Sequence, residues 1–301
     1  MKHKGYFLVL ATAIISGFSI FINKFGVSVG SPYIFTFLKN ALVAIFLSAI
    51  IIAFKEHKNL KALNKKQRLV LFLIGLIGGS IPFLLFFKGL SLTNAAGASF
   101  IQKTMFLWIF LLAGFFLKEK LTKKYIAAGC LLLIGNLLLL KLSDIRFDKG
   151  SLLVFAATLF WAVENVVSKY ALKEIPPKIV MWSRMFFGSV FILIFLAMSH
   201  QLTSLANLNS RQIGWTLVSG VLLFGYVATW YTGLKYIKVT EASIILMLGS
   251  PITTLLATIF AKSAAGREYV AMIFIVLGVL AAFKMSKITN SLKQIYVRAR
   301  S

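Results

Sequence analysis

Seven ionisable side chains fall inside the apolar stretches of this 301-residue chain: Lys24, Lys39, Lys88, Lys103, Lys169 and Arg184, against one acid, Glu164. A charge at the centre of a membrane helix costs about 2.5–3.5 kcal/mol, so it faces a cavity, a partner or the headgroups. Depth sorts them. At about 1.5 Å per residue, Lys88 and Lys169 lie within a turn of their helix ends and Lys24 about a turn and a half, close enough to snorkel. Glu164 and Arg184 are each about 10 Å deep on consecutive antiparallel helices, where they can form a structural ion pair; Glu164 is also a candidate for proton coupling or for a substrate amine. Lys103, flanked by Gln102 and Thr104, is about 12 Å below its helix end, with Lys39 at nearly the same level. Two level cations would suit a carboxylate or phosphate, with Lys103 and Lys39 as the leading binding pair and Gln102 beside them; the alternative is that Lys103 reaches helix-terminal carbonyls or Glu164.

Aromatic residues offer a wall to such a site. Trp161 on one helix and Tyr226, Trp230 and Tyr231 on another could stack against substrate, or pack in the interior and at the membrane interfaces. Pro82 and Pro251 fall near mid-span and are the candidate hinges, with static kinks as the alternative. Gly75, Gly78 and Gly79 read as a close helix crossing and not as a phosphate loop.

The elements that hold these residues are apolar spans. Hydrophobic residues make up 59% of the chain and mean hydropathy is +0.88, a composition of membrane protein. Ten spans are predicted at 5–29, 32–54, 69–90, 95–117, 124–140, 150–171, 177–198, 212–234, 241–261 and 269–283, the first retained and not a signal peptide. Residues 5–140 recur as 150–283. Gly5 falls on Gly150, Lys24 on Lys169, Pro32 on Pro177 and Lys39 on Arg184; from the third span the offset shortens by one, so Gly89-Leu90 falls on Gly233-Leu234 and Tyr125 on Tyr269. Five spans per copy is odd, so the second copy runs inverted. The predicted fold is therefore an all-α polytopic membrane protein of ten transmembrane helices in two inverted five-helix repeats, 1–145 and 146–284, followed by a basic cytoplasmic tail, 285–301. That architecture is the one secondary transporters use to rock around a central site.

The net charge of +25 is a topology signal. With the N-terminus inside, 21 of the 33 basic residues are cytoplasmic and 6 external, which by the positive-inside rule puts both termini in the cytoplasm. Nucleic acid is thereby excluded as the reason for the charge. A lone Cys130 excludes a disulfide framework, and His3, His57 and His200 all lie outside the spans, which argues against an intramembrane enzyme. No cofactor or metal is expected. The expected partners are a small-molecule substrate and the lipid bilayer, with a homodimer compatible with the sequence. A non-transporting scaffold is the remaining class, disfavoured by the cost of its buried charges.

Several segments carry a family likeness: the prolines Pro32 and Pro177 opening the second helix of each half, Lys88-Gly89-Leu90 through Ala95-Ala96-Gly97-Ala98-Ser99, Leu117-Lys118-Glu119-Lys120-Leu121, and Ala242-Ser243 with Pro251. Together they resemble the drug/metabolite transporter superfamily, in particular its EamA branch. Two positions depart from the pattern: Leu107 stands where a fourth-helix proline is usual, and Ser263 where the first copy has Glu119. The resemblance implies alternating-access transport, without ATP, of a small polar metabolite, an amino acid or organic anion moving outward across the cell inner membrane; a phosphorylated or nucleotide-linked substrate is the alternative.

Overall fold

The computed structural model describes residues 1–120, 122–139, 148–261 and 270–279, and every element among them is helical. Helices α1 (Lys2–Ser28) and α2 (Pro32–Ala53) are continuous. Helix α3 (Lys65–Leu92) widens into a π segment at Gly75–Ser80 before Pro82. Helix α4 comes in two pieces, Ala95–Lys103 and Met105–Phe116, followed by α5 (Lys123–Leu139), α6 (Lys149–Ala171), α7 (Pro177–Met198) and α8 (Ser210–Tyr236). Helix α9 is again divided, into Val239–Leu246 and Gly249–Ala261, and α10 covers Val270–Val279. Eight of these, all but α5 and α10, are long and apolar enough to cross a membrane; α5 and α10 carry shorter apolar stretches. The tail 285–301 and Ser263 lie outside the described residues.

Large apolar side chains face outward, Phe7, Ile45, Leu111 and Phe115 each being more than 60% exposed. Water would penalise that surface, and lipid does not. Helix ends are set by local chemistry. Asn64 and Gln67 form a reciprocal capping box at the start of α3, and Asn209 and Gln212 form the same box at the start of α8. The two boxes are 145 positions apart, the spacing of the sequence repeat.

The tight helix crossings rest on small residues. A Cβ on Gly5 would lie 3.1 Å from the Gly233 carbonyl oxygen, and one on Gly89 would lie 2.7 Å from that of Gly150. These two crossings, α1 on α8 and α3 on α6, join repeat-related residues at opposite ends of the bundle. Helices α3 and α7 approach as closely, since a Cβ on Gly79 would fall 2.0 Å from the Arg184 carbonyl oxygen. The expected close-packing role holds at Gly75 and Gly79, which meet α7; Gly78 instead faces the Glu164 side chain.

Lys24 and Lys169 do not snorkel. Lys24 Nζ donates to the Leu90 and Thr93 carbonyls at 2.8 and 2.5 Å, and Lys169 Nζ to those of Leu234 and Ile237, both at 2.7 Å. Each ammonium caps the C-terminus of a helix in its own half, where orphan carbonyls and the helix dipole favour a cation. The partners are again repeat mates. Proximity to the helix end, which suggested a path to the headgroups, equally brings a lysine within reach of a neighbouring helix terminus.

At the end that holds the N-terminus, Lys178 meets Glu56 at 3.1 Å and Gln67 donates to Glu174. Asn59 and Lys178 together hold the Glu56 carboxyl below its ordinary value. The pair stabilises above the ordinary carboxylate range and is lost as pH falls through the lowered value. Because it is solvated, its contribution is small.

Candidate functional site

A cavity of about 70 Å³ sits at the centre of the bundle, with lining residues from all eight long helices. Its charged members are Lys39 from α2, Glu164 from α6 and Arg184 from α7. All three are almost fully buried, yet the one direct ion pair among the described residues is Lys178–Glu56. The expected Glu164–Arg184 pair is corrected accordingly: the residues share the cavity wall without bridging. Hydroxyls hold the carboxylate instead. Tyr231 and Ser168 both donate to Glu164 Oε1 at 2.5 Å, and among the described residues Oε2 has no hydrogen-bond partner. The Arg184 guanidinium lies over the rings of Phe83 and Tyr231, at 5.4 and 5.8 Å, and its Nε is buried without a partner.

Lys39 has an aromatic environment. Its Nζ stands 3.6 Å from the Phe87 ring centroid and 5.5 and 5.4 Å from those of Phe35 and Phe83. Desolvated cation–π contacts are worth about 2 kcal/mol or more, which offsets part of the burial cost without using the ammonium's hydrogen-bond donors. Those donors remain for a ligand.

The backbone of α3 shapes the floor. Pro82 has no N–H, so a carbonyl one turn earlier loses its helical partner. The Trp161 indole donates to the Gly78 carbonyl at 3.1 Å and the Asn40 amide to the Gly79 carbonyl at 3.0 Å. Gly78 leaves the room that Glu164 fills, because a Cβ there would meet Glu164 Cγ at 2.3 Å. Trp161, Gln102 and Tyr226 line the cavity as expected residues of the wall. Trp230 and Tyr231 do not line it: Trp230 is stacked on Tyr226 and donates to Asn165 Oδ1 at 3.0 Å, and the Tyr231 hydroxyl donates to Glu164.

Lys103 is displaced from the place the sequence suggested. It is buried, but its Nζ donates to Ser16 Oγ at 2.9 Å and packs against Gly249, between α1 and the break in α9. Ser16 and Gln102 face the cavity; Lys103 does not line it. The second cation that lines the cavity with Lys39 is Arg184. Position 103 also ends the first piece of α4, at the register equivalent of the α9 break. One break precedes Pro251 and the other precedes Leu107, so a proline is not what divides these helices. Pro82 follows the π segment and Pro251 opens the second piece of α9.

Residues that sequence reasoning passed over include Phe83 and Phe87, the two α3 rings of the lysine cage, together with Asn23 and Asn165. Asn165 adjoins Glu164 and Asn23 adjoins Lys24, so adjacency to a charge was the available signal. Asn23 Oδ1 and Gln102 Oε1 are both buried without a donor.

Comparison with known proteins fits this arrangement. The uncharacterized transporter YyaM of Bacillus subtilis (strain 168) is 26% identical over 296 residues, 94% of each chain. The riboflavin transporter ImpX of Fusobacterium nucleatum subsp. nucleatum is 32% identical over 140 residues, 45% of this chain and 46% of its own. A solved crystal structure superposes with a TM-score of 0.72 at 20% identity, covering 94% of this chain and 96% of that one, a likeness of fold. The EamA-like transporter family matches twice, over residues 3–141 and 148–284. Spanning both halves, those matches place this multi-pass membrane protein in the EamA-like transporter family.

Proposed function

We propose that this transporter carries a small metabolite with an anionic group, an amino acid or organic anion, outward across the cell membrane by alternating access. The observation that carries the reading is the cavity's free charge: Lys39 and Arg184 face it with no carboxylate bridged to either. In a low-dielectric cleft, such a field favours an anion most. The unfilled acceptors Asn23 Oδ1, Gln102 Oε1 and Glu164 Oε2 would receive donors from the same substrate, such as an ammonium or hydroxyl. Ten helices in two inverted halves, both termini cytoplasmic, is the architecture we infer. The duplicate capping boxes, the paired glycine crossings and the paired lysine caps all support it.

Flux in proteoliposomes tests the reading. Small carboxylates and amino acids should accumulate saturably without ATP and compete with one another, and ATP-dependent flux would defeat the proposal. The aromatic wall and the likeness to a riboflavin transporter favour a second reading, a ring-bearing substrate; a flavin that competes better than any small acid would select it. A cavity of 70 Å³ is well below the ~300 Å³ of pockets for larger ligands and favours the small solute. Orientation has its own test. In a cysteine-free background, Ser204→Cys should react with an impermeant maleimide from outside intact cells and Asn64→Cys should not, and the reverse pattern would invert the topology.

A further inference from the structure

Both ends of the cavity have the same glycine crossing and the same lysine cap, but among the described residues one end has more. Past the end of α4, Glu119 accepts hydrogen bonds from the Val239 and Thr240 amides at 3.2 and 3.3 Å and from the Thr240 hydroxyl at 2.7 Å. In the first turn of α9, Glu241 accepts from the Tyr6 hydroxyl of α1 at 2.9 Å and from the Tyr125 hydroxyl of α5 at 2.6 Å. Carboxylate acceptors make hydrogen bonds roughly twice as strong as neutral ones, and Glu119 also meets the positive end of the α9 dipole. All of these bonds join residues of the first half to residues of the second. Relative motion of the halves must break them, whereas the Lys24 and Lys169 caps lie within one half and travel with it.

In the sequence, the repeat register puts other residues at the matching positions of the opposite end. Ser263 stands for Glu119, Ala95-Ala96 for Val239-Thr240, Gly97 for Glu241 and Ser151 for Tyr6. Neither carboxylate has a counterpart at those positions, alanine replaces Thr240 and the short serine side chain replaces the α1 tyrosine, while the glycines and the capping lysine are kept. We infer that Glu119 and Glu241 form a latch that holds the N-terminal end of the pathway shut, so that the unloaded transporter rests open toward the opposite, external face. The inference depends on alternating access, because only a two-state cycle turns unequal contacts at the two ends into a population bias.

A single cavity cysteine reads that bias. Ser19 of α1 lines the cavity; with Cys130→Ser as background, Ser19→Cys is alkylated by an impermeant maleimide in right-side-out and in inside-out vesicles, and the ratio of the two rates is taken. Faster reaction in right-side-out vesicles is expected, with Glu119→Gln/Glu241→Gln shifting the ratio at least tenfold toward the inside-out preparation. Tyr6→Phe and Thr240→Val, which remove single hydroxyls, should shift it in the same direction by less and carry the test if the double variant does not fold. A ratio that these variants leave unchanged, but that saturating substrate shifts, overturns the latch and leaves alternating access standing. Rates that rise together from both faces would instead defeat alternating access, and the latch with it.

Discussion

Arg184→Gln lowers the initial flux of an anionic substrate by about 100-fold or more at equal membrane abundance, a loss of about 2.7 kcal/mol in transition-state terms. Hydrogen bonds to charged groups are worth about 1.5–3 kcal/mol each, and a guanidinium offers a planar fork to a carboxylate, so removing it should cost at least one such bond along with the local field. Lys39→Gln should follow with a loss of about tenfold or more, since its ammonium lies in the same wall. The contrast lies at Lys103. Its ammonium donates to Ser16 and does not line the cavity, so Lys103→Gln should lower thermal stability more than flux. Arg184→Gln is expected to fold, because no carboxylate is left without its bridge: Glu164 is held by Tyr231 and Ser168. Flux and thermal unfolding measured on the same preparations separate the two roles. Full activity of Arg184→Gln, or loss of flux by Lys103→Gln at unchanged stability, would return the anion site to Lys103.

That reversal between Lys103 and Arg184 shows what a sequence can and cannot fix in a bundle. Height along a helix follows from counting at 1.5 Å per residue, and the count put Lys39 about 10 Å below one end of the bundle and Glu164 and Arg184 about 10 Å in from the other; the structure brings all three to one cavity. Azimuth does not follow from counting. Adjacent helical residues point about 100° apart, so Gln102 faces the cavity while Lys103 faces the seam between α1 and α9, and only the packing of α4 decides which. The same limit applied to Glu164. Its depth matched that of Arg184, but the side chain settles over Gly78 and against two hydroxyls contributed by its own helix and by α8. Repeat register, by contrast, carried far. It paired Lys24 with Lys169, Gly5 with Gly150 and Gly89 with Gly233 as mates, though not the crossings at which Gly5 meets Gly233 and Gly89 meets Gly150. The α4 break at Thr104 was not legible, because the signal sought there was a proline and the chain has Leu107.

Gly78→Ala should abolish transport while leaving a folded protein, and Gly214→Ala should change neither. A Cβ at Gly78 would stand 2.3 Å from Glu164 Cγ and 2.9 Å from Cδ, so the glutamate must leave the position in which Tyr231 and Ser168 hold it. Overpacking of this kind costs about 1–3 kcal/mol, and here it also turns a carboxylate out of the cavity wall. Gly79→Ala is a harsher change, because the obstacle is the Arg184 carbonyl oxygen at 2.0 Å, which is backbone and cannot rotate away; that variant should fail to accumulate. Gly214 has nothing within 4 Å of its virtual Cβ, and alanine there should be neutral or should stabilise α8 by up to about 1 kcal/mol. A double-mutant cycle then distinguishes a specific clash from general damage to the π segment. Glu164→Ala removes the obstructing side chain, so Gly78→Ala should cost far less stability in the Glu164→Ala background than in the wild type, with a coupling of about 1 kcal/mol or more. Additive costs would mean that the methyl disturbs the α3–α7 crossing itself, and Gly78 would then be a packing residue like Gly79 and not the seat of the cavity's only acid.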